Sequence, residues 1–412
     1  MQRVRASTLF AIVESSQPVR AEGRRRAIPL AVSTLLTGAS VHMLYLQVQL
    51  YLKGLGTSTF LIGMVATLMA GGMLAGGLMW GTISDHVRRR RLLFLLALGL
   101  ALATGVLSFL PPTPVVLGLS FIRSLFFSGL GAVAIAVISA SSRIERRGKN
   151  LSYVSSARAL GFAIGAASSG VLLEILGFRA AFAVSACLPL VAALVLLRLP
   201  DDNPVQRPRP THAWREALTK GLGDLYIAVA LRQMAVFGAF ALLIVYMDTI
   251  GIPPSMMGIV AASNTITQVL ALVAFGWLAD RVGRRRVFMF GSALSIVTPL
   301  VFVVLPNLLG MALGYVTLGI GFSSLHVGAT AHIGDRVSEE KQGQMLGLYE
   351  SSRGLGGLAG PAVAGAIIPA IGFQGMFIVM AGIAGLGFLL MLFGQTLRRR
   401  LAARRAIREA TR

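Results

Sequence analysis

The 412-residue chain is 55% hydrophobic and only 13% charged, and it carries a formal net charge of +22. Soluble domains contain about 25% charged residues, so this composition, with a mean hydropathy of +0.75, excludes an ordinary soluble protein. The positive charge does not indicate a nucleic-acid partner, because the cations lie in blocks between long apolar runs, as membrane topology requires.

Signatures of catalysis and of cofactor binding are absent from the sequence. It has no Walker A, GxSxG or HExxH motif, and its single cysteine, Cys187, cannot form an intrachain disulfide or a thiolate cluster. We therefore expect no enzymatic activity, no cofactor and no metal site.

Twelve apolar runs, which we number as spans 1 to 12, follow a basic N-terminal tail at residues 1–26. The tail lacks an apolar stretch long enough for a signal-peptide core, whereas each span approaches the length of about 20 residues that crosses a bilayer as a helix. The spans are 27–52, 59–81, 91–110, 114–139, 151–176, 179–199, 225–247, 255–279, 287–305, 308–333, 344–368 and 373–397. We predict an all-α membrane protein with two pseudo-symmetric six-helix bundles at 27–199 and 221–397, a cytoplasmic connector at 200–220 and a basic cytoplasmic tail at 398–412.

The distribution of lysine and arginine orients these spans. Of the 38 cations, 32 fall in the two tails and in alternate loops, 2 (Lys53 and Arg179) fall in the remaining loops, and 4 lie within spans. Because lysine and arginine accumulate on the cytoplasmic side, both termini are predicted to be cytoplasmic. The predicted location is the cytoplasmic membrane, the inner membrane where a cell has two.

The two halves of the chain are related by an internal repeat. A shift of 195 positions aligns residues without a gap from about residue 51 to residue 182. Pairs that match include Tyr51 with Tyr246, Gly56 with Gly251, Gly63 with Gly258, Arg158 with Arg353, and Gly177 with Gly372. Such parallel halves place a binding site near the membrane midplane, where they meet.

One motif occurs twice, after span 2 and after span 8. GWLADRVGRRR at 276–286 resembles motif A of the major facilitator superfamily, and GTISDHVRRRR at 81–91 is a copy that departs from it at His86 and Arg88. The resemblance covers essentially the whole chain after residue 27. It implies a transporter with rocker-switch alternating access, in which the inner gate contains Gly81, Asp85, Arg89, Gly276, Asp280, Arg281, Gly283 and Arg284.

The two motif aspartates are expected to hold the inner gate closed, a role that we call the latch. An aspartate at this end of a helix can face the positive N-terminus of a neighbouring helix that begins on the same side. The resemblance implies that Asp85 serves span 11 and Asp280 serves span 5. The arginine blocks have an alternative explanation, because they could simply set topology. Acidic residues do little for topology, which favours the latch for the aspartates.

Ionisable residues inside spans are costly and are candidates for function. Glu350 precedes Arg353 by three positions on one helical face, so an internal ion pair is the simplest interpretation and proton carriage by Glu350 is the alternative. Arg158 is the repeat equivalent of Arg353. His326 could join a proton relay, because histidine titrates near physiological pH, although a packing role is the alternative.

Two further arginines lie within spans. Arg123 in span 4 resembles the arginine of motif B in proton-coupled relatives, although the glycine expected four positions later is missing. Arg232 in span 7 has no charged counterpart, because its repeat equivalent is Thr37. This asymmetry fits a substrate contact, and snorkelling of Arg232 toward the cytoplasm is the alternative.

Polar side chains on two spans are candidates for the substrate cavity. His42, Tyr45 and Gln49 share one face of span 1, and Asn264 and Gln268 share one face of span 8. Hydrogen bonding between helices is the alternative role for each of them.

A glycine-proline pattern on span 11, Gly347 through Gly365 with Pro361, resembles motif C of antiporters, which in that family lies on span 5. Together with the weakly charged interior, it favours proton-coupled export of a small, partly apolar compound. The alternative is an importer of a polar nutrient, such as a sugar or organic acid, by proton symport. The expected partners are a small-molecule substrate, protons and the lipid bilayer, with no nucleic acid, and we expect the protein to function as a monomer.

Overall fold

The structure is a computed structural model, and it describes residues 2–141, 144–200, 222–334, 337 and 339–410. Side chains are described for residues 26–140, 148–200, 222–330, 333, 337, 341–342 and 344–393. From residue 201 onward, the predicted connector lies outside the described part of the chain.

The described chain is helical almost throughout. Its α-helices, numbered here α1 to α11, are Gln2–Gly54, Thr59–Ile83, Arg89–Gly105, Thr113–Ser141, Ile144–Leu196, Gly223–Ala241, Leu243–Thr249, Pro254–Val282, Arg284–Val304, Leu308–Gly334 and Glu339–Ala410. A short 3-10 helix, Val106–Phe109, follows α3. Ten segments of the described chain are long and apolar enough to cross a membrane.

Two of these segments are long enough to cross twice, and each is divided by a glycine. In α5 the backbone leaves helical geometry at Gly177 (φ 69°, ψ 174°), and in α11 it does so at Gly372 (φ 71°, ψ 178°). Glycine adopts a positive φ without the steric cost that a side chain brings. Counting two arms for each of these helices gives the twelve predicted membrane-spanning helices.

The predicted seventh span is interrupted. It is predicted as one continuous helix, but α6 ends at Ala241 and α7 begins at Leu243, with Leu242 at φ −119° and ψ 10°. Beside the interruption, the Phe240 carbonyl accepts hydrogen bonds from the Leu242 amide and from the hydroxyl of Tyr45. The break therefore lies next to a contact with the other half of the chain.

The repeat is visible in the backbone, and so is a departure from it in the motif loop. Gly56 and Gly251, which are 195 positions apart, both have positive φ values, of 71° and 78°. Gly283 of the second motif also has a positive φ, of 94°. Its equivalent Arg88 has φ −62° and ψ 116°, because an arginine would be strained at positive φ. The sequence departure at this position therefore changes the path of the loop.

Three buried apolar clusters organise the bundle. One lies within the N-terminal half, residues 26–200, and another within the C-terminal half, residues 222–393. The third contains residues of both halves, among them Leu52, Ile62, Met247 and Ile368. These residues lie near the end of the bundle opposite the arginine blocks. We call this the far end and the arginine-rich side the basic end.

Close helix contacts between the halves join two helix pairs, α2 with α11 and α5 with α8, in equivalent places. At Gly63 of α2, an added Cβ would meet the carbonyl of Pro361 in α11, and at Gly258 of α8 it would meet the carbonyl of Ala166 in α5. Each pair is the repeat equivalent of the other. Glycine is needed at both positions because the backbones approach too closely for a side chain.

Candidate functional site

An ion pair joins the two halves at the far end. The Lys53 ammonium binds the Asp248 carboxylate, with the side chains 30% and 37% exposed. The two residues are repeat equivalents, as are Tyr45 and Phe240, which are joined by a hydrogen bond of 2.9 Å from hydroxyl to carbonyl. Equivalent positions meet only near the axis that relates two halves. These two contacts therefore mark the pseudo-two-fold axis.

Further hydrogen bonds close the far end on either side of this axis. The Ser255 amide, at the start of α8, donates to the Glu174 carboxylate at 2.9 Å, as expected for an anion at a helix N-terminus. From α2, the hydroxyls of Thr59 and Thr67 donate to carbonyls of α11 at 3.2 Å and 3.0 Å. Polar contacts thus reinforce the apolar cluster shared by the halves.

A narrow internal pocket lies in the N-terminal half beside the axis. Tyr45 and Gln49 of α1 line it together with Ser120 and Arg123 of α4. Apolar side chains form the rest of its wall: Leu44, Val48, Ile62, Val65, Ala66, Met69 and Ala241. The structure thus brings two predicted cavity residues together with Arg123, which the sequence placed among the proton-coupling candidates.

Arg123 is buried in this pocket, and no acidic side chain in the described part of the chain pairs with it. Its residue is 5% exposed and its Nε has no hydrogen-bond partner; the Oε1 of Gln49 also lacks one. A charge near the bilayer centre costs at least about 2.5 kcal/mol unless it is paired or hydrated. The pocket has a volume of only about 10 Å³, room for about one water molecule, so Arg123 is a desolvated cation beside a nearly closed space.

The C-terminal half contains an ion pair within α11. One guanidinium nitrogen of Arg353 lies 2.9 Å from each carboxylate oxygen of Glu350, so the pair expected from the spacing is present. The Arg353 side chain is 17% exposed, whereas that of Glu350 is 55% exposed. The Glu350 carboxylate is therefore not enclosed by the packed interior of the bundle.

Aromatic rings surround this ion pair. The guanidinium of Arg353 lies over the rings of Phe322 and Tyr349, at 5.0 Å and 5.8 Å from their centroids. His326 stacks on Phe322 at 5.8 Å between ring centroids, and its buried Nδ1 has no hydrogen-bond partner. His326 thus lies next to the ion pair, where a relay residue is expected to lie.

Arg232 is buried within the C-terminal half. It is 4% exposed; its Nε donates to the Ser295 hydroxyl at 2.9 Å and its Nη1 donates to the side-chain Oε1 of Gln233 at 3.0 Å. Both acceptors are neutral, and Nη2 has no partner. The side chain does not snorkel outward, and its partners lie apart from the pocket around Arg123.

Arg158 differs from its repeat equivalent Arg353 in its surroundings. Its Nη1 lies 3.3 Å from where a Cβ at Gly131 of α4 would be, so it is directed toward that helix. The residue equivalent to Glu350 is Ser155, which cannot neutralise a guanidinium. Among the described side chains, the N-terminal half therefore has no counterpart of the Glu350–Arg353 pair.

The remaining cavity candidates are placed separately. His42 stacks on Phe162 of α5, with ring centroids 4.1 Å apart. Asn264 donates from its amide to the Tyr315 carbonyl at 3.1 Å, and Gln268 lies on the same face where α8 packs against α10. No three histidine, cysteine or acidic side chains in the described part of the chain are arranged to hold a metal ion.

The motif copies lie at the basic end. Asp85 is half-buried, Asp280 is exposed, and the guanidinium of Arg281 stacks at 3.6 Å on the ring of Trp277. An added Cβ at Gly81 or at Gly276 would meet no described atom within 4 Å. In this conformation no described helix therefore approaches these two glycines.

The remaining inner-gate residues lie beside them. Arg89 is fully buried at the start of α3, and Arg284, its repeat equivalent, is half-buried at the start of α9. The open groove at the basic end is lined by Ala279, Asp280, Val282, Gly283, Arg284, Arg285, Arg286, Met289 and Leu392. Gly283 and Arg284 thus lie in one groove with Asp280.

Sequence reasoning missed the far-end contacts. Lys53 enters the sequence-based prediction only as an outer-loop cation, and neither Asp248 nor Glu174 enters it. A signal does exist, because Lys53 and Asp248 carry opposite charges at equivalent positions of the repeat. The aromatic residues around Arg353 and the hydroxyl of Ser295 have no comparable signal.

Comparison with known proteins connects this architecture to a family. The model of the Major Facilitator Superfamily matches residues 30–249 and 225–411. Relatives called multidrug resistance protein MdtG, from Citrobacter koseri and Serratia proteamaculans, are each 24% identical over 84% of this chain, covering 89% and 88% of their own lengths.

Solved structures agree on the fold. A bacterial homologue of the human lysosomal transporter Spinster, in an inward-facing conformation, superposes with a TM-score of 0.77 at 13% identity, covering 91% of this chain and 97% of its own. The nucleoside transporter NupG superposes with a TM-score of 0.72 at 14% identity, covering 89% and 98%. With twelve helical passes, a two-fold repeat and two copies of motif A, the chain belongs to the major facilitator superfamily and is a multi-pass membrane transporter.

Proposed function

We propose that the protein exports small, partly apolar compounds in exchange for protons by rocker-switch alternating access. The observation that carries this proposal is the Glu350–Arg353 pair. Glu350 lies six residues, or about 9 Å, beyond the start of its apolar segment at Gln344, deeper than any other described carboxylate in a membrane-crossing segment. A carboxylate that is both intramembrane and half-exposed suits a proton carrier.

Export rather than import is supported by the relatives and by the site. The two relatives described above are called multidrug resistance proteins. Import of a polar nutrient requires several free hydrogen-bonding groups near the midplane. Asn264, one of the few candidates, already donates to the Tyr315 carbonyl. The importer remains the second candidate, and the vesicle experiment below separates the two.

The basic end is proposed to face the cytoplasm, with both termini on that side, in the cytoplasmic membrane. The 32-to-2 division of cations supports this orientation. Because the described contacts close the far end, the conformation is one that opens toward the cytoplasm. Both halves of the path lie in one chain, so we propose that a monomer is sufficient.

The motif aspartates are proposed to close the opposite side in the alternate conformation. Helices α2 and α11 run antiparallel, with Thr67 bonded to Leu358 and Leu74 beside Gly354. Extending this register toward the basic end brings Asp85 opposite the first turn of α11. The equivalent register of α5 and α8 brings Asp280 opposite the first turn of α5. Both aspartates would then face helix N-termini.

Asp280→Asn is expected to lower transport by about fivefold to thirtyfold, because a charge at a helix N-terminus contributes up to about 2 kcal/mol. Insertion into the membrane should be unchanged. The transport rate is divided by the amount of inserted protein, which is measured from the fluorescence of a C-terminal fusion. Asp280→Glu keeps the charge and is the matched control. Normal turnover by a correctly inserted Asp280→Asn protein would contradict the latch.

The proposed function is tested in inside-out vesicles with an acidified lumen and a pH-quenched dye. Lipophilic cations, neutral drugs, organic acids and sugars are added in turn. Release of luminal protons on addition of a compound is expected for antiport. Two outcomes would instead support the importer. One is dye quenching that deepens when a compound is added. The other is no response in the inside-out vesicles together with uptake of the compound by right-side-out vesicles.

A further inference from the structure

The open groove at the basic end lies within the C-terminal half. It has a volume of about 920 Å³, and its wall is formed by the end of α8, the beginning of α9 and Leu392 of α11. All the described residues of this wall belong to the C-terminal half. The groove is therefore separate from the space between the two halves, and passage of substrate between the halves does not account for it.

The wall of the groove is positively charged. Arg284, Arg285 and Arg286 outnumber its single acidic residue, Asp280, which leaves a net charge of +2. The first turn of α9 contains no acidic residue, and its N-cap, Gly283, contributes no side-chain hydrogen bond. Arginine side chains and helix N-termini both attract anions, and the guanidinium group matches phosphate in geometry. The groove therefore suits a phosphate group.

The equivalent arginines of the first motif copy are placed differently. Arg89, the repeat equivalent of Arg284, is fully buried, whereas Arg284 is half-buried in the groove wall. Gly283 has a φ of 94°, whereas Arg88 at the equivalent position has a φ of −62°. Membrane topology requires cations in both loops, but it does not require them to line a groove. The arrangement in the second copy therefore has a further explanation.

Exposed aromatic side chains place the groove at the edge of the bilayer. Trp277 precedes the groove by less than one turn of α8 and is exposed, and tryptophan is enriched where the membrane meets water. Phe290 and Phe393, each next to an apolar residue of the wall, are exposed as well. Exposed aromatic residues on membrane-spanning helices are expected to face lipid. The groove is therefore open to the headgroup layer.

The wall is charged at one end and apolar at the other. Met289 lies about 8 Å beyond Arg284 along α9, in the direction of the bilayer centre. Leu392 of α11 lines the same groove. A phospholipid has the same layout, with a phosphate above acyl chains, whereas a soluble phosphate compound would contact only the arginine end. The apolar end of the wall therefore favours a lipid.

We propose that this groove binds an anionic phospholipid of the leaflet at the basic end. Its phosphate lies on Arg284, Arg285 and Arg286, and the upper part of its acyl chains lies against Met289 and Leu392. Basic pockets between membrane-spanning helices bind anionic headgroups, whereas a zwitterionic headgroup carries a cation that the arginines repel. The site goes beyond the proposed function, because it depends on neither the substrate nor the coupling ion.

The proposal is tested by titrating the purified full-length protein with three probes. They are phosphatidylglycerol, phosphatidylcholine with the same acyl chains, and glycerol phosphate, which has the headgroup without the chains. Native mass spectrometry measures the fraction of protein that retains one bound molecule. We expect phosphatidylglycerol to bind at least about tenfold more tightly than either of the other two probes. Equal binding of the two lipids would overturn the proposal, and equal binding of glycerol phosphate would assign the groove to a soluble phosphate compound instead.

Arg285→Gln/Arg286→Gln is expected to weaken phosphatidylglycerol binding about tenfold or more and to leave phosphatidylcholine binding nearly unchanged. Arg284 is retained because it belongs to the inner gate. The matched control, Arg90→Gln/Arg91→Gln, changes the equivalent positions of the first motif copy and should bind as the unmodified protein does. Equal losses in the two double variants would indicate a general attraction of the basic end for anionic lipid, and would overturn the site.

A third variant changes the apolar end of the wall and keeps every arginine. Leu392→Glu places a negative charge in the groove and should also weaken phosphatidylglycerol binding about tenfold. Leu392→Gln is its neutral control and should weaken binding less. This variant serves as well if the arginine variants fail to insert correctly. Undiminished preference for phosphatidylglycerol in Leu392→Glu would contradict a lipid that lies between α9 and α11.

Discussion

Glu350→Gln is expected to reduce substrate-driven proton release by about 100-fold or more, while the protein still inserts and folds. Glutamine cannot bind and release a proton, but its side-chain oxygen can still accept a hydrogen bond from Arg353. In the structure both oxygens of Glu350 lie 2.9 Å from the Arg353 nitrogen. The substitution therefore removes the titratable group with little change in shape.

A purely structural role makes a different prediction for the same variant. If the pair only neutralises Arg353, Glu350→Gln leaves an intramembrane guanidinium unpaired, which costs at least about 2.5 kcal/mol. The protein would then be destabilised, and transport would fall for that reason. The neighbouring Arg232, within electrostatic reach of Arg353, would add to this penalty.

The double variant Glu350→Gln/Arg353→Gln separates the two roles. The double variant removes both charges, so no unpaired charge remains in the membrane. If the pair is only structural, the unfolding temperature and transport should both recover relative to Glu350→Gln. If Glu350 carries protons, stability recovers but proton release does not. Proton release is measured in inside-out vesicles, and stability is measured on the purified protein. Recovery of coupled transport in the double variant would reject Glu350 as the proton carrier.

Much of the fold could be predicted from the sequence, because it depends on local length and period. An apolar run of about 20 residues has few alternatives to a membrane-spanning helix, and the register of the repeat pairs Gly177 with Gly372, the two glycines that divide the long helices. The sequence also shows that Arg88 stands where the second motif copy has Gly283. The loop backbone differs at this position because an arginine would be strained at the positive φ that the glycine adopts. The Glu350–Arg353 pair follows from a spacing of three on one helix.

Contacts between helices could be predicted only in part. A shift of 195 compares Lys53 with Asp248, but it does not show that both lie on the axis where equivalent residues meet. Likewise, the sequence places Arg123 in a span, but whether an acid from another helix reaches it depends on packing. The interruption at Leu242 is not predicted because no glycine or proline marks it. It lies beside the Tyr45 contact from the other half, which local sequence does not show.

The far-end ion pair makes the second large prediction. Lys53→Asp is expected to open the far end, because it places a second carboxylate beside Asp248 at the axis. Two like charges 4 Å apart repel by about 1 kcal/mol in water and by about 4 kcal/mol at an effective dielectric constant of 20. Since 1.4 kcal/mol is a factor of ten, the equilibrium between the two conformations should shift by fivefold or more. Asp248→Lys should act in the same direction.

Opening is measured as a distance between spin labels at Phe109→Cys and Val304→Cys, after the exposed Cys187 is replaced by serine. These positions are repeat equivalents at the far end, 82% and 74% exposed, so labels there should disturb packing little.

The longer-distance population should grow in Lys53→Asp, and transport should fall because the cytoplasm-facing state becomes rare. The swap Lys53→Asp/Asp248→Lys is the matched control: because the two positions are exchanged by the pseudo-two-fold axis, the reversed pair has nearly the same geometry and should restore both distance and transport. A distance distribution that does not change in Lys53→Asp, or a swap that restores nothing, would show that the apolar cluster alone closes the far end.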